Sequence, residues 1–125
     1  MKLRTGLAAR VHLVVEAQDT AVALGSGDVP VLGTPRVVAL AEEATVAALA
    51  GSLPDRKTSV GTRVEIRHRA PTPTGRQVEA AAILVGVDGR KLVFDVTVRD
   101  GEEVVATAVV ERVVVDRDRF LEAVG

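Results

Sequence analysis

Hydrophobic and polar residues alternate over several stretches of the chain, a pattern typical of strands that bury one face. The first stretch covers residues 7–17, where one face carries Val11, Leu13 and Val15. Three later stretches, 76–87, 91–99 and 103–115, are separated by Asp-Gly pairs at 88–89 and 100–101. Because Asp-Gly readily adopts the positive φ angles of a tight turn, these three strands are predicted to form consecutive hairpins.

A further strand, predicted over residues 58–69, has the clearest alternation. One face is predicted to carry Val60, Thr62, Val64, Ile66 and His68, and the other Arg63, Glu65, Arg67 and Arg69. Pro71 and Pro73 follow and end the strand, because proline cannot donate to a strand ladder. His68 is therefore expected on an otherwise mostly apolar face.

The spacing changes to a helical one between the first two strands. Thr34 is predicted as the N-cap and Pro35 as the first residue of a helix that runs over about 35–50, with Gly51 just beyond it. Nearly all residues of this helix are apolar, so it is predicted to be buried on every side. The connection before it, residues 18–33, is unusually long, which is typical of loops that cover a binding site.

This order of elements indicates an α+β fold in which a curved antiparallel sheet wraps one central buried helix, the architecture known as the hotdog fold. The length suits one domain over residues 1–125. A short helical turn is predicted after Asp116. Long valine-rich strands leave open edges, which proteins usually cover or pair, so a homodimer formed through the sheet is expected.

Composition excludes several classes of function. Sixteen basic and seventeen acidic side chains give a net charge of -1, so no broad charged field favours nucleic acid or an anionic membrane. The chain has no cysteine and two histidines, and no metal site or other cofactor is expected. No apolar run approaches the ~20 residues of a membrane helix. A soluble cytoplasmic protein is therefore expected.

Glu42 and His68 are the two residues that the apolar pattern leaves unexplained. On a helical wheel Glu42 lies among apolar side chains, namely Val38, Val46 and Leu49. Glu43 lies on another side near Arg36, and these two could shield each other. If the strand carrying His68 packs on the helix, carboxylate and imidazole share an interior and could act as a general base or orient a water. From the pattern alone, however, a single inward histidine is usually a core residue with its hydrogen bonds satisfied, and Glu42 could simply pair with an arginine.

Several short segments resemble the fluoroacetyl-CoA thioesterase family of the hotdog superfamily: Gly33-Thr34-Pro35, Ala41-Glu42-Glu43-Ala44, Ser59-Val60-Gly61-Thr62 and Arg67-His68. The resemblance covers about residues 30–120. It implies that Thr34, Glu42 and His68 take the catalytic threonine, glutamate and histidine roles, and that Gly61 lies beside the acyl group. By itself, Thr34 would be explained by helix capping.

The implied activity is hydrolysis of an acyl-CoA or another acyl thioester in a cleft between two subunits. His68 would act as acid and base, while Glu42 would attack the carbonyl or activate water. Thr34 would hydrogen-bond the carboxylate or the substrate. Arg67 and Arg69 could contact the phosphates of coenzyme A, although their outward face equally suits solvation.

One departure from the family bears on the substrate. Its fluoroacetyl-specific member has aromatic residues in the loop before the helix, whereas residues 18–33 here contain none. The resemblance therefore implies a general small acyl-CoA rather than fluoroacetyl-CoA. Two alternatives use the same cleft: a binding module that holds an acyl-CoA or another small ligand without hydrolysing it, and a hotdog dehydratase acting on enoyl or hydroxyacyl thioesters.

Overall fold

The computed structural model describes residues 3–125, which form one five-stranded antiparallel sheet and a long helix packed against it. The strands are β1 (Ala8–Val14), β2 (Lys57–His68), β3 (Gln77–Asp88), β4 (Lys91–Asp100) and β5 (Glu103–Asp116). The helices are α1 (Ala21–Leu24), α2 (Thr34–Leu49) and α3 (Arg117–Ala123), with a 3₁₀ turn at Ala17–Asp19. This confirms the predicted hotdog architecture. Of the helices in the described range, none has the length and apolar character needed to cross a membrane.

The strand order is β1-β3-β4-β5-β2, so β1 and β2 are the edges of the sheet. The predicted Asp-Gly turns join β3, β4 and β5, and their glycines Gly89 and Gly101 have φ values of 59° and 62°. Strand β2 pairs with β5 and not with β3, its neighbour in sequence. One long side of β2 therefore has no pairing strand within residues 3–125.

Helix α2 packs on one face of the sheet, here called the inner face, and the opposite face is called the outer face. Helix α2 and the inner face form one continuous core, in which Leu40 and Val37 of the helix and Phe94 of β4 are fully buried. Burial alternates strictly along β4 and nearly so along β5, as the sequence pattern predicts. The core thus fixes α2 across the middle of the inner face.

The start of α2 differs from the prediction. Its N-cap is Gly33, and Thr34 and Pro35 are already helical. Glycine fits at the cap because a Cβ there would lie 3.0 Å from a methyl of Leu24 and 3.1 Å from the backbone of Ala21. The predicted capping role of Thr34 was therefore wrong, and its hydroxyl is available for another contact.

The prediction that α2 is buried on every side was also wrong for a single chain. Val46 is 52% exposed, Val38 is half-buried and Ala39 is exposed. The sheet covers only one side of the helix, and β2, the edge strand nearest these residues, does not reach around it. An apolar strip of α2 is consequently left open beside an unpaired strand edge.

A β-bulge between Gly61 and Arg63 changes which side chains of β2 face the helix. Beyond the bulge the alternation is as predicted and His68 lies on the inner face, opposite a buried residue of β5. Ahead of it the alternation is reversed, so Gly61 faces the helix, Val60 points to the outer face and Thr62 lies within the bulge. The predicted grouping of Val60 and Thr62 with His68 was wrong because one extra residue inverts a strand's alternation.

The connection before α2 is ordered by its own backbone hydrogen bonds. Ala21 N donates to Val31 O at 2.8 Å, and Gly33 N donates to Asp19 O at 2.9 Å. A bridge between Val31 and Pro73 ties the segment to the chain beyond β2. The predicted covering loop thus lies beside the start of α2, held in place by these backbone hydrogen bonds.

Candidate active site

Thr34 and His68 meet where the start of α2 passes the end of β2. The Oγ1 atom of Thr34 lies 2.8 Å from Nδ1 of His68, although the two residues are 34 positions apart in sequence. A hydrogen bond to one ring nitrogen fixes the orientation of an imidazole and determines which nitrogen is left to react. Thr34 therefore holds His68 with its Nε2 atom directed away from the hydroxyl.

The Nε2 atom of His68 is buried, and no polar atom within residues 3–125 hydrogen-bonds to it. His68 lines a cavity of about 330 Å³, whose walls are mostly short apolar side chains: Ala21, Val29, Val31, Leu32, Ala70 and Pro71. Most buried polar atoms in proteins have a hydrogen-bond partner. This nitrogen is thus a buried hydrogen-bonding atom that has no partner among the described residues.

Burial lowers the pKa of His68, and an interaction with the backbone of Ala70 opposes this only in part. The imidazole is therefore neutral at pH 7 and able to accept a proton. Because the folded chain binds this proton less tightly than the unfolded chain, the stabilising contribution is complete above the ordinary histidine pKa of ~6.5. It decreases as the pH falls below that value toward the lowered pKa.

We expect chemical denaturation to show a falling free energy of unfolding from about pH 7 to pH 5, and a shallower fall in His68→Gln. The exposed His12, replaced by glutamine in the same way, controls for the loss of a histidine. An identical slope in the parent and His68→Gln would show that the ring is not desolvated in the folded chain.

Glu42 lies two turns further along α2, where its carboxylate is held by Arg112 of β5. Nη1 of Arg112 donates to Glu42 Oε2 at 3.1 Å, while Nε donates to Ser59 Oγ at 2.9 Å and Nη2 to Ser59 O at 3.1 Å. Arg112 is only 6% exposed, so these three bonds fix it firmly. The expectation that Glu42 could pair with an arginine is confirmed, and the carboxylate has one defined orientation.

Arg112 was not among the predicted site residues. The signal for it is its position in the apolar alternation of β5, where residues 110, 112 and 114 share the inner face and only 112 is charged. The chain has thirteen arginines and three lysines, and most of the arginines are exposed. One buried arginine is therefore difficult to recognise from the sequence. A buried arginine opposite a half-buried glutamate is a different case, because both charges need a partner.

Gly61 adjoins the Glu42 carboxylate on the same side of β2. A Cβ atom on residue 61 would collide with Glu42 Oε2 and would lie 3.4 Å from Arg112 Nη1. A glycine here allows the carboxylate to rest directly against the strand backbone. The side chain of Glu42 is still 36% exposed, so a ligand or a second chain can reach it.

Within one chain, no hydrogen bond or ion pair joins Glu42 to His68 among the described residues. Residues 34 and 42 are ~12 Å apart along the axis of α2, from a rise of 1.5 Å per residue. Thr34 thus binds His68 at one end, and Arg112 binds Glu42 at the other. The structure brings together Thr34 with His68 and Glu42 with Gly61, but it does not unite all of them in a single chain.

The other residues predicted to pair or to bind substrate also lie in different parts of the molecule. Glu43 pairs with Arg36 at 3.2 Å, which confirms the wheel prediction, and its side chain is 52% exposed. Arg69 lines the His68 cavity. Arg67 points from the outer face and lines a groove on the other side of the sheet. Of the two arginines, only Arg69 can contact a ligand in the His68 cavity.

Comparisons with known proteins identify the family. The family model described as fluoroacetyl-CoA-specific thioesterase matches residues 15–118. The fluoroacetyl-CoA thioesterase of Streptantibioticus cattleyicolor is 36% identical over 90 residues, which are 72% of this chain and 65% of that enzyme. The match therefore spans slightly less than two thirds of the curated relative.

Solved structures agree with the family match. A structure of the fluoroacetyl-CoA thioesterase is similar with a TM-score of 0.91 at 30% identity, covering 99% of this chain and 96% of that one. A hot-dog-like protein from Thermanaerovibrio acidaminovorans is similar with a TM-score of 0.88 at 27% identity, covering 96% and 89%. Because the family model covers most of the sequence, this chain belongs to the fluoroacetyl-CoA-specific thioesterase family.

Proposed function

We propose that this chain hydrolyses a small acyl-CoA thioester at a site formed between two subunits, with Thr34, Glu42 and His68 as the reacting set. The observation that carries the proposal is the buried Nε2 atom of His68, which Thr34 holds beside a cavity in a chain of a thioesterase family. Coenzyme A enters as part of the substrate, and the proposed reaction uses no separate cofactor.

A homodimer supplies the contact that a single chain lacks. The open edge of β2 can pair antiparallel with β2 of a second copy about a two-fold axis. When the two-fold axis passes between Val64 and Glu65, this antiparallel pairing places His68 of each strand opposite Gly61 of the other. Since Gly61 adjoins Glu42, His68 of the partner subunit approaches the Glu42 carboxylate.

The open strip of α2 supports this interface. Val38 and Val46 lie one turn before and one turn after Glu42, and Val46 is 52% exposed. Apolar residues beside an unpaired strand edge are typical of a surface that a second chain covers. In the proposed dimer this strip is buried, and the Glu42 carboxylate lies at the floor of the cleft between the subunits.

The proposed chemistry assigns different roles to the Glu42 carboxylate and the His68 imidazole. Glu42 either attacks the thioester carbonyl to give an enzyme-bound anhydride, or it takes the proton of an attacking water. In either route neutral His68 accepts the proton that water releases, directly or from Glu42, and passes it to the thiolate of coenzyme A. Arg112 keeps the carboxylate in place, and Thr34 keeps the imidazole in place.

The acyl group is proposed to be small but not restricted to fluoroacetyl. The wall formed by residues 18–33 has no aromatic side chain, and a cavity of about 330 Å³ is at the lower end of the range for small-molecule sites. Arg69 lines this cavity and is the better placed of the two arginines to contact the bound substrate. Short linear and branched acyl groups fit such walls.

Thiol release from a panel of acyl-CoA substrates tests the proposal. We expect acetyl-, propionyl- and butyryl-CoA to be hydrolysed with kcat/KM at least equal to that for fluoroacetyl-CoA, because no aromatic wall selects the smaller group. Ligand-induced melting shifts without any thiol release would identify a binding module instead. Hydration of a crotonyl thioester without thiol release would identify a dehydratase.

A further inference from the structure

Asp19 is a buried acidic residue that the proposed chemistry does not use. It lies in the 3₁₀ turn after β1, at the start of the segment that covers the site. Its side chain is only 8% exposed, and its two carboxylate oxygens have different partners. Oδ1 accepts from Arg36 Nε at 3.2 Å, and Oδ2 accepts from the backbone N of Glu16 at 2.9 Å. Asp19 therefore joins the chain that follows β1 to helix α2.

The backbone of Asp19 makes a second contact with the start of α2. Its carbonyl oxygen accepts from Gly33 N at 2.9 Å. Gly33 is the N-cap of α2, and Arg36 lies in its first turn. Asp19 thus holds the helix on both sides of Thr34 in sequence. Because the first turn of a helix lacks part of the usual backbone hydrogen bonds, these contacts support the turn that carries the Thr34 hydroxyl.

The position of the Thr34 hydroxyl determines how the His68 ring is held. Its Oγ1 atom lies 2.8 Å from Nδ1, and within residues 3–125 no other side chain hydrogen-bonds to this ring. A hydrogen bond weakens steeply when its geometry is lost. A shift of the first turn by about 1 Å would therefore release the imidazole, and misplacement of this size can cost about 100-fold in rate.

The charge of the Asp19–Arg36 pair points to a role in geometry. A buried ion pair is weak evidence for stability, because the cost of removing both charges from water offsets much of their attraction. The Arg36 guanidinium donates to Asp19 through Nε and to Glu43 Oε1 through Nη1, both at 3.2 Å. Two directional bonds fix the plane of a guanidinium, which an apolar contact would not do. The pair therefore gives the first turn of α2 one defined orientation.

We propose that Asp19 is a positioning residue, which keeps the Thr34 hydroxyl against the His68 imidazole by holding the first turn of α2. The inference rests on the proposed function, in which His68 transfers the proton. The Asp19 carboxylate itself contacts neither the substrate nor a reacting atom in this scheme. Its loss is expected to lower kcat and to change KM little, because backbone hydrogen bonds such as Ala21 N to Val31 O hold the cavity wall without it.

Nuclear magnetic resonance of the histidine rings tests this positioning without any substrate. The chain has two histidines, so isotope-labelled histidine gives two sets of ring nitrogen signals, and the exposed His12 is an internal reference. We expect Asp19→Asn to move the His68 signals in the same direction as Thr34→Val does, toward those of a ring that exchanges freely between tautomers, and to leave the His12 signals unchanged. Parental His68 signals in Asp19→Asn would overturn the proposal.

A double-variant cycle on hydrolysis separates positioning from a general loss of stability. Alone, Asp19→Asn is expected to lower kcat for acyl-CoA hydrolysis about tenfold and to leave KM within about twofold. In a Thr34→Val background the hydroxyl is already absent, so the same change should lower kcat by less than about twofold. Losses that multiply, or a raised KM with parental kcat, would contradict positioning through Thr34. A parent that releases no thiol would refute the proposed function alone, and the ring signals would still decide the role of Asp19.

Asp100→Asn is the matched control for Asp19→Asn. The Asp100 side chain is 10% exposed and accepts from Nε and Nη2 of Arg76, away from α2 and the His68 cavity. It is expected to keep the parental kcat and the parental His68 signals, while circular dichroism checks the fold of each variant. Arg36→Leu removes the same contact from the α2 side and serves as the test should Asp19→Asn fail to fold, with Glu43→Gln accounting for the other bond of Arg36. Parental His68 signals in folded Arg36→Leu would likewise overturn the proposal.

Discussion

Replacing Glu42 by glutamine is expected to lower kcat for acyl-CoA hydrolysis by about 10²–10⁴-fold. Glutamine has the shape of glutamate, and its amide oxygen can still accept the hydrogen bond that Arg112 Nη1 donates at 3.1 Å. It can neither attack a carbonyl nor accept the proton of a water. The loss would therefore report on chemistry at this atom and not on packing.

The fold should survive this substitution. Arg112 keeps its two hydrogen bonds to Ser59, so only the charge of one partner is removed. We expect a loss of stability on the order of 1–3 kcal/mol, the cost of weakening a charged hydrogen bond. Thiol release at saturating acyl-CoA measures kcat, and thermal unfolding of the same samples shows whether the variant is folded.

Glu43→Gln is the matched control, since it makes the same change at the next residue of the same helix. The Glu43 side chain is 52% exposed and pairs with Arg36, so its loss should cost less than about 1 kcal/mol and leave kcat within about twofold. Parental turnover in Glu42→Gln, or equal losses in both variants, would exclude Glu42 as the reacting carboxylate.

The parts of the fold that follow from neighbouring residues were predictable from the sequence. Strands β3, β4 and β5 end within one residue of their predicted limits. Alternation determines which residues belong to a strand, and an Asp-Gly pair determines where the chain turns. The length of α2 was predictable for the same reason, because Pro35 and Gly51 mark its two ends.

The parts that depend on distant residues were not predictable in this way. The bulge in β2 exists only in relation to β5, and nothing in residues 58–69 alone except Gly61 indicates it. The pairing of β2 with β5 likewise depends on contacts between residues that are far apart in sequence. Thr34 was predicted as a cap because capping is a local explanation, whereas its actual partner, His68, is 34 residues away.

The candidate site was likewise predictable only where it depends on neighbouring residues. An acidic residue among apolar neighbours singled out Glu42, and its expected need for a partner followed from the cost of leaving a charge unpaired. Arg112, which meets that need, is 70 residues away and lies on a strand otherwise occupied with core packing. Sequence patterns can therefore identify the residue that lacks a partner more easily than the partner itself.

Mixing two inactive variants, Glu42→Gln and His68→Gln, is expected to restore about a quarter of the parental turnover. The reason is the proposed site between subunits, in which Glu42 of one chain works with His68 of the partner subunit. In a mixed dimer one site carries both substitutions and the other carries neither. Random association of equal amounts makes half of the dimers mixed, and each of these has one of its two sites intact.

The experiment requires that chains exchange, so the variants are refolded together or produced together with different affinity tags. Mixed dimers isolated by both tags in turn are expected to show about half of the parental turnover per dimer, and thiol release is compared with that of each variant alone. If Glu42 and His68 of the same chain formed the site, every site in the mixture would carry one substitution and turnover would stay at the level of the single variants. Restored turnover therefore requires the carboxylate of one subunit and the imidazole of the other, while an inactive mixture would overturn the two-subunit site and leave membership of the family untouched.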